Sequence, residues 1–292
     1  EQYYTGTFLI LDSLRDNWKK EDIEKVIKEF RLLVSPFEEK NNFSIYITAP
    51  EYDLYEVKLE NNILRQRYAK VEAKIKTQSI DNGERKTVFC ARYADREGTI
   101  KDFSEELKKV YICGDLQITI YYFLRDASLK FDGLKASEAK AVLDTFCGVK
   151  IYRDGFRVRP YGEEGNDWLL LDKIKISDPH GYRVGNNQVI GVVNINSDAN
   201  PLLIDSTNRE AIIENEAFAQ LKQVVNKCIN IIENHRYTQY LEERKQTKIA
   251  EEEEKRKQER GELTKTISQT KEKFSKALKN GNIDKAEKAV SE

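Results

Sequence analysis

The residues best suited to chemistry lie in the run STNRE, directly after Asp205. Thr207 and Glu210 have the T-x-x-E spacing of a capping box, which predicts a helix that starts at Asn208. Arg209 would then lie in the first helical turn, where unpaired backbone N–H groups already create a positive potential. An arginine there is a suitable phosphate ligand, because its guanidinium offers planar, bidentate donors. The alternative interpretation is that Arg209 pairs with a nearby carboxylate such as Asp205.

A second group of polar side chains lies upstream and invites a phosphate-binding or nucleic-acid-binding interpretation. Arg157 and Arg159 occupy alternate positions of a predicted strand and would project from the same face. Acidic residues such as Asp154 and Glu163 interrupt the positive field, which favours a polar surface network instead. The members of this group are Arg153, Arg157, Arg159, Asp167, Trp168, Arg183, Asn186 and Asn187.

Familiar catalytic and metal-binding patterns are missing from the sequence. The two histidines, His180 and His235, are far apart, and no P-loop and no strand-linked GxGxxG motif occurs. The four cysteines show no CxxC pairing, which is typical of reduced, structural thiols in a cytoplasmic protein. No apolar run approaches the roughly 18 residues of a membrane span. We therefore expect neither a free-standing hydrolase nor a membrane protein.

Composition and charge indicate a folded region followed by a charged tail. The chain has 292 residues, 39% of them hydrophobic and 34% charged, and the charged excess lies after Glu233. Its formal net charge of -1 gives the whole chain no general attraction to nucleic acid. The sequence contains no methionine, so we expect it to be part of a longer protein.

The hydrophobic pattern predicts an α+β domain. Helical spacing of apolar residues begins at Lys19 and ends before Pro36, and a second helix is predicted from Gly133 to Phe146. Asp154-Gly155 predicts a turn between two strands. Strands are predicted at 6–14, 43–47, 71–75, 87–93, 116–123, 149–158 and 188–195, the last of them the most buried.

From position 207 onward the sequence predicts continuous helix. An apolar stripe that runs from Ile212 to Ile232 should pack on the domain, whereas Glu, Lys and Arg dominate beyond His235. Such a charged helix needs a partner or i,i+4 charge pairs. Leu263, Ile267 and Phe274 follow a heptad-like spacing that is too short to establish a coiled coil.

Several segments resemble the GHKL superfamily of ATPases, which includes gyrase B, MutL, the Microrchidia proteins and the large heat-shock chaperone. Gly6-Thr7 followed by FLILDSL, and then a helix that ends in SPF at 35–37, is similar to the exit from the ATPase domain of these proteins. Later segments look like bacterial histidine kinase/heat-shock-chaperone-like ATPases, and the resemblance covers about residues 5–235. They are IYRDGFRV at 151–158, DWL at 167–169, IGVV at 190–193 and NRE at 208–210.

The resemblance implies a ribosomal-protein-like transducer domain with mixed sheets and packed helices, followed by a long charged helical tail. In such proteins a basic residue of this domain reaches the γ-phosphate of ATP, which a domain N-terminal to it holds together with Mg²⁺. Matching the R-E pair assigns this role to Arg209, with Asn208 beside it. The chaperone pattern has Ser at the position of Asn208, and gyrase and MutL use a lysine, so Lys173 and Lys175 stay as alternatives.

The implied organisation has three parts: an exit segment at 1–18, the transducer domain at 19–235 and the tail at 236–292. The ATPase domain would be the partner in cis, homodimerisation is expected, and no cofactor is expected on this chain alone. The competing interpretation is a non-enzymatic module that binds nucleic acid or a protein. Salt-dependent nucleic-acid binding by the chain would favour that interpretation.

Overall fold

The computed structural model describes residues 7–12, 15–31, 34, 44–79, 84–126, 129, 136–178, 181–206 and 211–279. The chain divides into two compact units, Glu1–Glu233 and Asn234–Glu292. The predicted boundaries at 18 and 235 stay predictions.

Within the described residues, strands and helices alternate irregularly along the first unit. They are α1 (Lys20–Arg31), β1 (Tyr46–Ala49), β2 (Leu54–Lys58), β3 (Ala69–Ser79), β4 (Arg85–Asp95), β5 (Ile100–Glu106), β6 (Leu116–Tyr122), α2 (Ala136–Phe146), β7 (Gly148–Arg153), β8 (Phe156–Val158), α3 (Leu171–Ser177), β9 (Val189–Ile195) and α4 (Glu216–Lys279), the last of which extends into the second unit. Short 3₁₀ helices lie at Pro50–Tyr52, Ile63–Gln66 and Asn186–Gln188.

A mixed sheet forms the centre of the first unit. Its described strands follow the order β5-β4-β3-β6-β9-β7-β8, and β1 and β2 form a separate two-stranded sheet. All neighbours in the larger sheet are antiparallel except β7 and β9, which run parallel from Gly148↔Ile190 to Arg153↔Ile195. The expected α+β class, with a mixed sheet and a long, charged C-terminal helix, is confirmed.

The main hydrophobic core lies between one face of this sheet and the first turns of α4. Alternate residues of β3, such as Val71, Ala73 and Ile75, are buried, because successive side chains of a strand point to opposite faces. The apolar stripe of α4 that the sequence predicted joins the same cluster, with Phe218, Leu221, Val225, Cys228 and Ile232. Burying the two apolar surfaces against each other removes both from water.

The second helix covers the opposite face of the sheet near β9. Ala139 and Leu143 of α2 are buried in a smaller cluster together with Ile190 of β9. Because neighbouring β9 residues point to opposite faces, this strand is buried on both sides. The sequence prediction of β9 as the most buried strand is consistent with its near-continuous burial.

The β7–β8 turn is the predicted Asp154-Gly155 pair. Both residues have positive φ, 49° and 89°, as the two central residues of a tight hairpin turn require. Gly148, at the start of β7, also has a positive φ of 90°. A Cβ on Gly148 would lie 2.9 Å from the Cα of Gly162, so the loop after β8 crosses close over the beginning of β7.

The strand predicted at 6–14 is wrong for the residues that the structure describes there. Residues 7–12 belong to no strand or helix, and the side chain of Phe8 is 91% exposed. No described strand pairs with this segment. Positions 6, 13 and 14 lie outside the described residues.

The described part of the second unit is helical from Asn234 to Lys279. Among its apolar side chains, Leu241, Ile249, Leu263 and Ile267 are exposed. None of the helices in the described ranges combines the length and apolarity required to cross a bilayer.

Candidate functional site

The two residues that the sequence singled out most strongly, Asn208 and Arg209, lie outside the described residues, as do Thr207 and Glu210. The structure does describe the chain on both sides of them.

Residues 204–206 and 211–213, called here the paired segments, are hydrogen-bonded to each other. Asp205 and Ile212 form an antiparallel β-bridge. The Ser206 amide donates to the Ala211 carbonyl (2.7 Å), and the Ile213 amide donates to the Ile204 carbonyl (2.8 Å). The chain is thus fixed immediately before and after positions 207–210.

This pairing corrects the predicted start of the long helix. The α4 helix begins at Glu216 and not at Asn208, because residues 211–213 already use backbone groups in the bridge. A backbone N–H or C=O paired across a bridge is not available to a helical ladder. The first turn of α4 therefore does not contain Arg209, and the argument from a helix N-terminus no longer supports phosphate binding at that residue.

Asn215 is the residue that caps α4. Its Oδ1 accepts a hydrogen bond from the Phe218 amide (2.9 Å), which satisfies one of the free donors at the helix start. Its Nδ2 donates to the Leu202 carbonyl (2.8 Å), just before the first paired segment. One side chain thus contacts both the helix and the chain that leads to positions 207–210.

Tyr161 holds the second paired segment from the other direction. Its hydroxyl accepts a hydrogen bond from the Ile212 amide (3.0 Å) and donates to the Ile212 carbonyl (3.3 Å). The buried ring packs against Trp168 and Phe218, with centroid distances of 5.2 and 5.4 Å. Burial raises the pKa of the Tyr161 hydroxyl, so it stays protonated and can donate.

Arg153 holds the first paired segment. Its guanidinium lies 3.1 Å from Asp205 Oδ1 and donates to the Leu203 carbonyl. The alternative interpretation of Arg209 named Asp205 as its partner. Among the described residues, the ion-pair partner of Asp205 is Arg153.

The remaining members of the upstream polar group form a network with carboxylates and backbone groups. Arg159 lies 3.2 Å from Glu163, and Arg183 donates to Asp178 (2.8 Å) and to the buried Glu233 (2.6 Å). The hydrogen bond to Glu233 is the main cause of the raised pKa of Arg183. These contacts agree with the polar-network interpretation.

The other members of that group have structural partners as well. Arg157 contacts the Gly162 carbonyl and the Glu163 carboxylate. The Asp167 carboxylate caps α3 by accepting from the Leu171 and Asp172 amides, and the Trp168 indole donates to the Val149 carbonyl. The last two members bond through their backbones: the Asn186 amide donates to Asp172, and the Asn187 carbonyl accepts from Arg125.

The lysine alternatives, Lys173 and Lys175, both lie on α3. Lys173 is exposed, whereas Lys175 is half-buried and donates to Gln188 Oε1 (2.5 Å). Burial lowers the pKa of Lys175, and the nearby Arg125 acts in the same direction. The Lys175 ammonium is therefore held by a hydrogen bond within the domain, whereas Lys173 is more accessible to a ligand.

A cleft of about 300 Å³ lies at the ends of β3, β6 and β9 and was not predicted from the sequence. Its polar lining residues are Lys74, Lys76, Asp115, Gln117, Asn194 and Asn196. Within the described part of the chain, neither lysine has an ion-pair partner. The lysines at alternate positions of β3 can be seen in the sequence, but the sequence does not show that they lie beside residues of β6 and β9.

No group of three His, Cys, Asp or Glu side chains arranged for a metal ion occurs in the described ranges. The chain matches no protein-family model, no curated protein and no solved structure with which it was compared.

Proposed function

We propose that this chain is the transducer portion of a cytoplasmic GHKL-type ATPase. In this proposal an N-terminal domain of the same protein holds ATP and Mg²⁺, and Arg209 contacts the γ-phosphate, with Asn208 beside it. The protein works as a homodimer, and the long helix α4 carries the response away from the nucleotide. The chain by itself hydrolyses no ATP.

The observation that supports the proposal most is that side chains of the domain hold the paired segments in place. A residue that senses a phosphate on another domain must be held rigidly by its own domain, because imprecise positioning lowers the rate of phosphoryl transfer. Three separate side chains, Arg153, Tyr161 and Asn215, provide such a base on both sides of positions 207–210. The α+β fold with a mixed sheet is also the one that the resemblance implies.

The test is Arg209→Ala in a protein that carries both the ATP-binding domain and this chain. An arginine that stabilises charge during phosphoryl transfer contributes roughly 10³–10⁵ in rate, so we expect kcat for ATP to fall by about that factor. Affinity for ADP, which lacks the γ-phosphate, should not change.

The matched control is Arg159→Ala, which removes an arginine whose side chain is 74% exposed and paired with Glu163. Its turnover should equal that of the unmodified protein. Unchanged turnover in Arg209→Ala would remove the assignment, and loss of turnover in Lys173→Ala or Lys175→Ala would transfer the role to that lysine.

A second candidate function, binding of single-stranded nucleic acid without catalysis, is favoured by the cleft at Lys74 and Lys76. Three acids on the same sheet face are engaged in the ion pairs Lys70–Glu72, Lys86–Glu106 and Arg92–Asp102, and the Asp115 carboxylate in the cleft accepts a hydrogen bond from the Thr77 amide. The two cleft lysines take part in none of these ion pairs and can attract a phosphate backbone, and the amides beside them can donate hydrogen bonds.

This candidate is tested by fluorescence anisotropy of a labelled single-stranded oligonucleotide at several salt concentrations. Changing Lys74 and Lys76 to Ala should weaken binding and reduce the salt slope by about two phosphate contacts. The control changes the exposed Lys108 and Lys109 to Ala. Absence of salt-dependent binding by the unmodified chain would exclude this function.

A further inference from the structure

We propose that the outer edge of β5 is a surface through which two copies of this chain pair, with the two β5 strands antiparallel and centred on Phe103. The central sheets of the two copies then continue into each other. The inference goes beyond the proposed function, since it concerns this chain alone and needs neither ATP nor an ATP-binding domain.

The first step concerns the accessibility of β5. Among the described strands, it lies at one end of the large sheet and pairs only with β4. All seven of its residues are exposed. It contains no proline, and its register with β4 is unbroken, so the bulges and prolines that block many edge strands are missing from it. The strand at the other end, β8, has only three residues.

The second step concerns the backbone groups of β5. The Leu107 amide donates to the Thr87 carbonyl (2.9 Å), and the Asp95 amide donates to the Thr99 carbonyl (3.1 Å). Because hydrogen-bonded and non-hydrogen-bonded pairs alternate along an antiparallel ladder, the odd-numbered residues of β5 bond to β4. The backbone groups of the even-numbered residues therefore point away from β4, where another strand can pair with them.

The third step concerns charge. Two identical strands that pair about a twofold axis present the same residues to each other in opposite order. With the axis at Phe103, Lys101 of each copy lies opposite Glu105 of the other copy, and even-numbered residues face even-numbered residues. Within the described part of the chain Lys101 forms no ion pair, and the Glu105 side chain, which contacts Lys227, is still 56% exposed. Opposite charges that face each other across two strands stabilise the pairing.

The fourth step concerns the competing registers. An axis at Asp102 would place the two Asp102 carboxylates opposite each other, and an axis at Ser104 would place Asp102 opposite Glu106. Like charges in directly opposite positions destabilise a strand pair. An axis between two residues would bring outward-pointing backbone groups opposite inward-pointing ones, which prevents a ladder. The charges and the backbone thus both favour the axis at Phe103, a residue whose side chain is partly exposed.

Sedimentation velocity of the isolated chain at increasing concentration tests the pairing. The mass should rise from the 34.0 kDa of one chain to twice that value. Lys101→Glu and Glu105→Lys each place like charges opposite each other at two points, so each should weaken self-association on the order of tenfold or more.

An equimolar mixture of these two variants separates a surface effect from a folding defect. In the mixed dimer the substituted residue of one variant lies opposite the substituted residue of the other, and opposite charges face each other again. The mixture should therefore associate as the unmodified chain does. Lys58→Glu, an exposed change in the separate two-stranded sheet, is the matched control and should not alter the association.

Engineered disulfides test the register. Cα atoms that face each other in a non-hydrogen-bonded antiparallel pair are about 4.5 Å apart, which a disulfide can bridge. Phe103→Cys should therefore cross-link two copies under mild oxidation, in a Cys90→Ser background that removes the exposed native thiol. Ile100→Cys is the control, because its two copies lie about 20 Å apart in this register.

Three results would overturn the proposal. They are a chain that stays monomeric at every concentration, self-association that neither charge variant weakens or that their mixture does not restore, and cross-linking of Ile100→Cys in place of Phe103→Cys. None of these results bears on the nucleotide role, which is decided by the turnover of Arg209→Ala.

Discussion

Lys150 shows how a single buried charge is accommodated in this fold. The side chain points away from the main core toward α2, and the residue is only 6% exposed. Its ammonium donates to the carbonyls of Phe146 (2.5 Å) and Cys147 (3.1 Å), at the end of that helix. A cation at a helix C-terminus satisfies free carbonyls and complements the helix dipole.

The burial of Lys150 gives the free energy of unfolding a defined pH dependence. Burial lowers the pKa of Lys150 to about 8, from 10.5 in an exposed lysine. Between these values the unfolded chain keeps a proton that the native chain has released, so stability rises with pH. From about pH 8 to about pH 10 the rise from this group should be about 2 kcal/mol.

Urea unfolding of the unmodified chain and of Lys150→Met at the two pH values tests this expectation. Other titrating groups contribute equally to both proteins, so the difference between the two slopes isolates Lys150. Equal slopes would contradict it.

At the scale of elements, two glycines of the β7–β8 region distinguish the cost of a positive φ from the cost of a steric clash when glycine is replaced by alanine. Gly155 has a φ of 89° and open space around its Cα, whereas Gly148 has a φ of 90° and meets the backbone of Gly162. A positive φ alone costs an L-residue about 1–2 kcal/mol.

Gly155→Ala should therefore lower the free energy of unfolding by about 1–2 kcal/mol. Gly148→Ala should lower it by more, because the added Cβ also displaces Gly162 in the loop after β8. Chemical denaturation of the two variants measures both values. An equal loss in the two variants would show that this loop yields without cost.

The start of α4 also belongs to this scale, because two local signals compete there. The T-x-x-E spacing at 207–210 favours a helix, while Ile212 pairs with Asp205 in a bridge and α4 begins only after Asn215. A propensity is a weak prior against tertiary pairing. The residues of the bridge carry no strong pattern of their own, which is why the sequence prediction placed the helix start too early.

At the scale of the whole molecule, the cysteines report how the first unit unfolds. Cys90 is exposed and Cys147 is half-buried, whereas Cys113 and Cys228 are buried in the main core. Burial raises the pKa of both core thiols to about 12 and raises that of Cys147 as well. Since the thiolate is the reactive form, burial and pKa act in the same direction.

Labelling with a thiol reagent at neutral pH should modify Cys90 first and Cys147 more slowly. Cys113 and Cys228 should react only as urea unfolds the chain, and both with the same midpoint, because β6 and α4 share one core. Mass spectrometry of labelled peptides gives the four rates. Different midpoints for the two core thiols would mean that α4 separates from the sheet before the sheet unfolds.

The sequence by itself determined the α+β class, most strands and helices, and the predicted Asp154-Gly155 turn, because alternating and helical periodicity are local properties of the chain. It also indicated the polar network around Arg157 and Arg183, since acids and bases are interleaved there. The proposed role of Arg209 stays a prediction, because positions 207–210 lie outside the described residues.

Only the tertiary structure decided which distant segments meet. Hydrogen bonds and an ion pair from Arg153, Tyr161 and Asn215 hold positions 202–212, and residues of β3, β6 and β9 together line the cleft. Neither arrangement produces a periodic pattern in the sequence, because contacts between distant segments depend on strand order and register, which a single sequence does not specify. The same reason applies to Lys150: the sequence predicts its position on β7, but the carbonyls that accept its hydrogen bonds are brought there by the packing of α2 on the sheet.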